Sequence, residues 1–241
     1  TWKSMPLRGE HMSEKLPQDE KGNAIIRIGH SPDPDDAFMF YAMTTNAFPT
    51  PGYNFIHELQ DIETLNQRAM NKELEVSAVS IHAYPDIADE YALMNCGASM
   101  GEGYGPMIVA KNGVSVEDAK SSPIAVPGLK TSAYLGIKLC WGDLDYEVVP
   151  FDQIIPRILD GTYKSGLIIH EGQLTYAEHD LDVLVDLGVW WNEKTGGLPM
   201  PLGGNVVRRD LGSQMMKDVT QYNEYDCRLL HDILNYLRAN H

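Results

Sequence analysis

The sequence predicts an α/β protein of two lobes, one inserted into the other. Three observations carry that expectation. Short apolar runs alternate along the chain with helix-length amphipathic stretches, the rhythm of sheets covered by helices. The runs are too many for one comfortable sheet in 241 residues. Two glycine-rich runs, GEGYGPM (101–107) and GGLPMPLGGN (196–205), stand where the chain could cross between lobes. On this reading residues 23–110 and 200–241 form one lobe and 111–199 the other. A ligand would lie in the cleft between them.

Each element follows from its pattern. Residues 1–22 are polar, lack the apolar core of a signal peptide, and read as a disordered leader or cloning remnant. AIIRIG (24–29) is a first strand, and DDAFMFYAMTTNAF (35–48) a helix begun by Asp35 and Asp36. YNFIHEL (53–59) alternates as a strand does. IETLNQRAMNKE (62–73) has helical spacing at Ile62, Leu65 and Ala69. VSAVSIHAY (76–84) reads as a strand that can turn into a helix near His82, and PMIVAK (106–111) reads as a strand, as do PIAVP (123–127) and YEVVPF (146–151), with a helix from about Thr131 between the last two. FDQIIPRILDG (151–161) is a helix ended by Gly161. SGLIIHEG (165–172) and DLDVLVDLG (180–188) are strands, and GNVVRRDL (204–211) is a last strand running into C-terminal helices. The rhythm favours parallel sheets. No internal repeat is present.

Composition excludes several functions. With 19 Lys and Arg against 34 Asp and Glu, the formal net charge is −15, which repels nucleic acid and anionic lipid. An anionic small molecule remains admissible, because helix N-termini bind anions whatever the net charge. Cys96, Cys140 and Cys227 are far apart in sequence, which points to a reducing compartment. No stretch approaches the ~18 apolar residues of a membrane span.

Four stretches could carry chemistry. In GHSPDPDDAF (29–38) a strand ends, two prolines stiffen a loop, and a helix begins, an arrangement that binds ligands in α/β proteins. Ser31 could donate a hydrogen bond there. Asp33, Asp35 and Asp36 admit a Mg²⁺ site, or Asp35 or Asp36 simply caps the helix. In VPGLKTSAYLGIKL (126–139), Thr131 and Ser132 open a helix and could cradle a carboxylate, cap the helix, or do both. In GASMGEGYGPMIV (97–109) the glycines at 101, 103 and 105 match no phosphate-binding fingerprint, and a strand follows, so a crossing is the reading. In GLIIHEGQLTY (166–176), His170 ends a buried strand as a structural, catalytic or metal-binding residue. The HExxH pattern fails because position 174 is Leu, and no GxSxG elbow occurs.

SPDPDDAFMFYAM, DIETLNQRAM, SIHAY, GEGYGPMIVA, VPGLKTSAYL, LIIHEGQLTY and GGLPMPLGGNVVRRDLG, in this order over about 24–212, resemble menaquinone-biosynthesis enzymes of the futalosine pathway, of the naphthoate-synthase type. The resemblance implies a periplasmic-binding-protein-like type II fold used for catalysis in the cytoplasm. It implies a carbon–carbon lyase that converts cyclic dehypoxanthinylfutalosine to 1,4-dihydroxy-6-naphthoate and dihydroxyacetone, with no cofactor and no metal. It makes His170 the general base. Thr131 and Ser132 would hold a polar or anionic group of the substrate, and Ser31 and Asp35 would line the opposite wall. Ser80 and Gly105–Pro106 are further candidates for the cleft.

Two departures stand out. Members of the family read Ser-Pro-Cys-Pro-Asn-Asp-Thr in the first loop, where this chain has Asp33, Asp35 and Ala37 in place of the Cys, Asn and Thr. The tail after Leu211 is short, and an uncovered first lobe would call for a partner, for instance a second copy in a homodimer. Other readings are a non-catalytic solute-binding protein of the same fold, chorismate dehydratase of the same pathway, and a metal-dependent enzyme centred on the aspartates.

Overall fold

The structure is a computed structural model and describes residues 16–170 and 172–240. The chain runs β1 (Ala24–His30), α1 (Pro34–Thr44), β2 (Tyr53–Leu59), α2 (Ile62–Met70), β3 (Val76–Ser80), α3 (Tyr84–Ile87) and β4 (Tyr91–Gly101). It continues through β5 (Met107–Lys111), α4 (Val116–Lys120), β6 (Ile124–Val126), α5 (Ser132–Trp141), β7 (Tyr146–Val148), α6 (Ile154–Leu159) and β8 (Ser165–Ile168). Then follow α7 (Gly172–Thr175), β9 (Leu181–Asp186), α8 (Leu187–Thr195), β10 (Met200–Arg208) and α9 (Ser213–Asn240).

Two five-stranded sheets result, β2-β1-β3-β10-β4 and β7-β6-β8-β5-β9. Neither is wholly parallel, as the βα rhythm had suggested. In each, the strand that follows a crossing, β10 or β5, lies fourth and runs antiparallel to both neighbours. A strand entering directly from the other lobe has no helical crossover to turn it round, and so pairs antiparallel. β5 belongs to the second sheet, so the first crossing falls within 102–106 rather than after residue 110. The glycines there serve close approach as well as bending. A Cβ on Gly105 would lie 2.7 Å from the Gly188 nitrogen, and one on Gly188 would lie 2.0 Å from the Tyr104 carbonyl.

The expected leader is shorter than 1–22 where it is described, and residues 1–15 lie outside the described residues. Asp19 gathers a turn by accepting from the backbone N–H groups of Lys21 (2.9 Å) and Asn23 (2.8 Å). The Ile25 N–H donates to the Pro17 carbonyl (2.9 Å), and Leu16 packs on the first lobe's core.

The first lobe's core gathers Ile26, Ile28, Phe40, Val76 and Val207. The second lobe's core gathers Ile108, Ile124, Ile137 and Leu167, with Met200 of β10 reaching into it. The C-terminal segment is one 28-residue helix, and it covers the first lobe. Asp226 accepts from the N–H groups of Ala42 (2.9 Å) and Met43 (2.8 Å), and Asn223 donates to the Met39 carbonyl (2.9 Å). Tyr222 stacks against Phe48. Among the described residues no helix is long and apolar enough to cross a membrane.

Candidate active site

Between the lobes lies a cavity of about 690 Å³, its mouth included. Its wall comes from both lobes. Ser31, Asp33 and Asp36 reach it from the β1–α1 loop and helix, Thr131 and Ser132 from the start of α5, and His170 from the end of β8. Ser80 at the end of β3 also lines it. Lys and Arg are absent from the lining residues, whose charged members are Asp33, Asp36 and, when protonated, His170.

The β1–α1 loop is held by its own acids. α1 starts with Pro34 at its first turn, and Asp33 occupies the capping position. Neither Asp35 nor Asp36 is therefore the cap, and Asp33 makes no cap hydrogen bond. Its carboxylate turns to the cleft instead, accepting from the Ser31 hydroxyl (2.7 Å). Asp36, one turn into α1, accepts from the Ser31 N–H at 2.5 Å. Asp35 lies in the first turn of α1, and its side chain falls outside the described residues.

Behind this loop sit two buried imidazoles. His30 donates from Nδ1 to the Ser31 carbonyl (3.1 Å), and its Nε2 faces His57 Nδ1 at 3.2 Å. His30 also stacks on Phe40, with ring centroids 4.8 Å apart. Burial pushes the His30 imidazole down, and burial together with His30 brings His57 down to about 4. Both shifts favour the neutral rings, which share one hydrogen bond.

His170 stands opposite the loop. Its φ is +54°, a left-handed conformation rare for a residue with a Cβ, and it comes two residues after β8 ends. The imidazole meets the edge of Phe151, with centroids 5.4 Å apart. Its Nδ1 lies 2.5 Å from Asp33 Oδ2, a contact that crosses from one lobe to the other. Glu171 lies outside the described residues.

The helix-start hydroxyls are already engaged. Thr131 caps α5 by accepting from the Tyr134 N–H (3.1 Å) and donates to the Gly128 carbonyl (2.9 Å). Ser132 donates to the Leu202 carbonyl (2.6 Å) and accepts from the His82 N–H (3.2 Å), both in the first lobe. His82 Nδ1 meets the Thr131 carbonyl (3.1 Å), and Lys130 pairs with Asp86 (2.6 Å). The Ser132 hydroxyl and the Thr131 carbonyl thus build a lobe–lobe seam, while the first turn of α5 still offers backbone N–H groups at the cavity wall.

Ser80 is buried and bound to Asn66, which donates to its hydroxyl (3.0 Å) and accepts from its N–H (2.8 Å). Gly105 does not line the cavity, whereas its neighbour Pro106 does. Asn205, Gly97 and Gln173 are among the lining residues that the sequence reading did not single out. Gly97 has a φ of +73°, and a Cβ there would lie 2.1 Å from the Asn205 amide nitrogen. A bare backbone is what admits that buried amide. Asp33 was visible in the sequence as a member of an acidic cluster and as a departure from the family's first loop, but not as a partner of His170. Among the described residues no three His, Cys, Asp or Glu side chains converge as a metal-binding set.

A cleft between two α/β lobes, each with one antiparallel strand from the other lobe's crossing, defines a periplasmic-binding-protein-like type II fold. The fold is shared with the alkanesulfonate-binding protein of Xanthomonas axonopodis pv. citri, at TM-score 0.66 and 11% identity, over 90% of this chain and 76% of that one. A solved protein from Archaeoglobus fulgidus is closer, at TM-score 0.81 and 43% identity, covering 88% of this chain and 78% of that one. The family model for menaquinone biosynthesis matches residues 26–225, and the chain belongs to that family. Two relatives are named 1,4-dihydroxy-6-naphthoate synthase. The one from Thermus thermophilus is 36% identical over 89% of this chain and 79% of its own length. The one from Streptomyces coelicolor is 35% identical over 78% of this chain and 67% of its own.

Proposed function

We propose that the chain is a cytoplasmic carbon–carbon lyase that releases 1,4-dihydroxy-6-naphthoate and dihydroxyacetone from cyclic dehypoxanthinylfutalosine, with His170 as the general base. The observation that carries the reading is the imidazole of His170 in the cavity wall, its Nδ1 against a carboxylate. A neutral imidazole that donates from Nδ1 carries its lone pair on Nε2. Fragmentation with aromatisation requires a proton to be taken near neutral pH, which suits imidazole.

The substrate's carboxylate is expected at the first turn of α5, where backbone N–H groups and the helix dipole favour an anion. Asp33 and Asp36 repel it from the other wall, which leaves the hydroxyl-bearing carbons beside His170. Ser80 can still offer its hydroxyl hydrogen to a substrate oxygen. Neither cofactor nor metal enters the scheme.

The test is incubation of the purified chain with cyclic dehypoxanthinylfutalosine, with the dihydroxynaphthoate followed by chromatography. Turnover is expected, unaffected by EDTA and lost in His170→Ala. Binding without turnover would make the chain a solute-binding protein. Turnover of chorismate instead would make it a dehydratase. Inhibition by EDTA would return attention to the aspartates, and full activity of His170→Ala would remove the base assignment.

A further inference from the structure

We propose that Asp33 is the positioning residue of His170, and that the pair latches the lobes so that the base is complete only when the cleft is closed. The inference rests on the reading of His170 as the base. It begins with an anomaly in the first loop. Asp is among the strongest capping residues, and Asp33 holds the capping position of α1, yet its carboxylate makes no cap bond. Instead one oxygen, Oδ2, takes both the Ser31 hydroxyl at 2.7 Å and His170 Nδ1 at 2.5 Å.

The environment makes that contact consequential. The Asp33 side chain is 6% exposed and that of His170 21%, so little water competes for either. A carboxylate at Nδ1 fixes the tautomer, aims the ring and stabilises the imidazolium formed when Nε2 takes a proton. Phe151 holds the ring from its edge, and the left-handed backbone at His170 turns the side chain out of the line of β8. Ser31 fits the same scheme. Its hydroxyl hydrogen is directed at Asp33, so it orients the carboxylate rather than donating to substrate.

The partners come from different lobes, Asp33 from the β1–α1 loop and His170 from the end of β8. The seam at Ser132 and Lys130 joins the lobes at the start of α5, and the Asp33–His170 contact adds a junction at the cavity wall. Opening the cleft would separate the imidazole from its carboxylate.

Asp33→Asn and Asp33→Glu test it, each first checked for an unchanged melting transition. The Asn variant should lose roughly 10²-fold or more in kcat, within the range acid–base catalysis supplies, with KM nearly unchanged. Asp33→Glu, which keeps the carboxylate, should retain more activity than Asn. Full kcat in Asp33→Asn, or a raised KM with kcat intact, would overturn the proposal, the latter because Asp33 would then be touching substrate. A second readout is independent of turnover. In ¹⁵N-histidine-labelled protein the wild type should show a downfield Nδ1 proton that disappears in both Asp33→Asn and His170→Gln. Its absence from the wild type would overturn the pair. Its presence in a chain inactive on the dihydroxynaphthoate precursor would sink the proposed reaction and leave the pair standing. For the latch, solution X-ray scattering of ligand-free Asp33→Ala should give a larger radius of gyration than wild type, and identical profiles would overturn it.

Discussion

In the first lobe His30, Asp33, Asp36, Glu75 and Asp226 are all buried, whereas the buried polar side chains of the second are Thr131, Ser132 and Ser165. The two sheets share one topology, so the contrast lies in what fills the space around them. The first lobe buries charge because each charge is answered. Glu75 accepts from the Arg27 guanidinium at 2.8 and 2.9 Å and pairs with Arg208 at 3.3 Å. Asp226 accepts two backbone N–H groups. Buried polar networks specify geometry at a cost in solvation. The second lobe is an apolar platform that delivers one imidazole and one helix start to the cleft. A polar loop tied by its own hydrogen bonds, meeting a single imidazole from an apolar lobe, is the division of labour this difference teaches.

The largest expected effect separates chemistry from packing. His170→Ala should lower kcat/KM by roughly 10²- to 10⁴-fold, the span of general acid–base catalysis. Its melting temperature should fall only modestly, because the side chain is partly exposed and Asp33 keeps the Ser31 hydroxyl when this one junction between the lobes is lost. A collapse of stability would mean that His170 belongs to the second lobe's framework, and the contrast would fail there.

The next effects lie in the cores. Leu167→Ala in β8 removes a fully buried side chain from the second lobe and should cost about 2–5 kcal/mol in denaturant unfolding. Asp226→Ala removes the acceptor of two α1 amides in the first lobe and should cost about 1–3 kcal/mol. Should Asp226→Ala prove neutral, α9 would be held by its apolar and aromatic packing and by Asn223, and buried charge would not be what anchors it to the first lobe.

How much of this was legible depends on which interactions decided each element. β1, β2 and β8 were readable because their apolar runs are short and flanked by turn chemistry. β4 was not, because Asn95, Gly97 and Gly101 interrupt its pattern and its pairing with β10 contains register shifts. α8 was hidden because Asp186, which caps it through the N–H groups of Gly188 (2.8 Å) and Val189 (3.1 Å), reads as the end of a strand. In the cleft, His170, Ser31, Thr131 and Ser132 announced themselves by residue type at strand ends and helix starts, whereas Ser80 came only from the family resemblance. Asn205 and Gly97 did not, since their meeting depends on strand register across β4 and β10. The Asp33–His170 contact spans 137 positions and two lobes, a distance at which no local pattern carries information.

The smallest effect is a dependence on pH that only the first lobe should show. His57 falls to about 4 in the folded protein, against roughly 6.5 for an unperturbed histidine. The unfolded chain therefore takes up this proton first as pH falls. Stability from this group is present above about 6.5 and is lost progressively down to about 4. His30 is displaced in the same direction and adds to the trend. Melting temperatures compared between neutral pH and the mildly acidic range should drop further for wild type than for His57→Gln, which cannot titrate. Carboxylates titrating in the same range affect both proteins alike, so the difference between the two curves isolates the histidine. Parallel curves would mean that the His30–His57 pair opens to water before it is protonated, and the first lobe would then be less rigid behind its loop than its hydrogen bonds suggest.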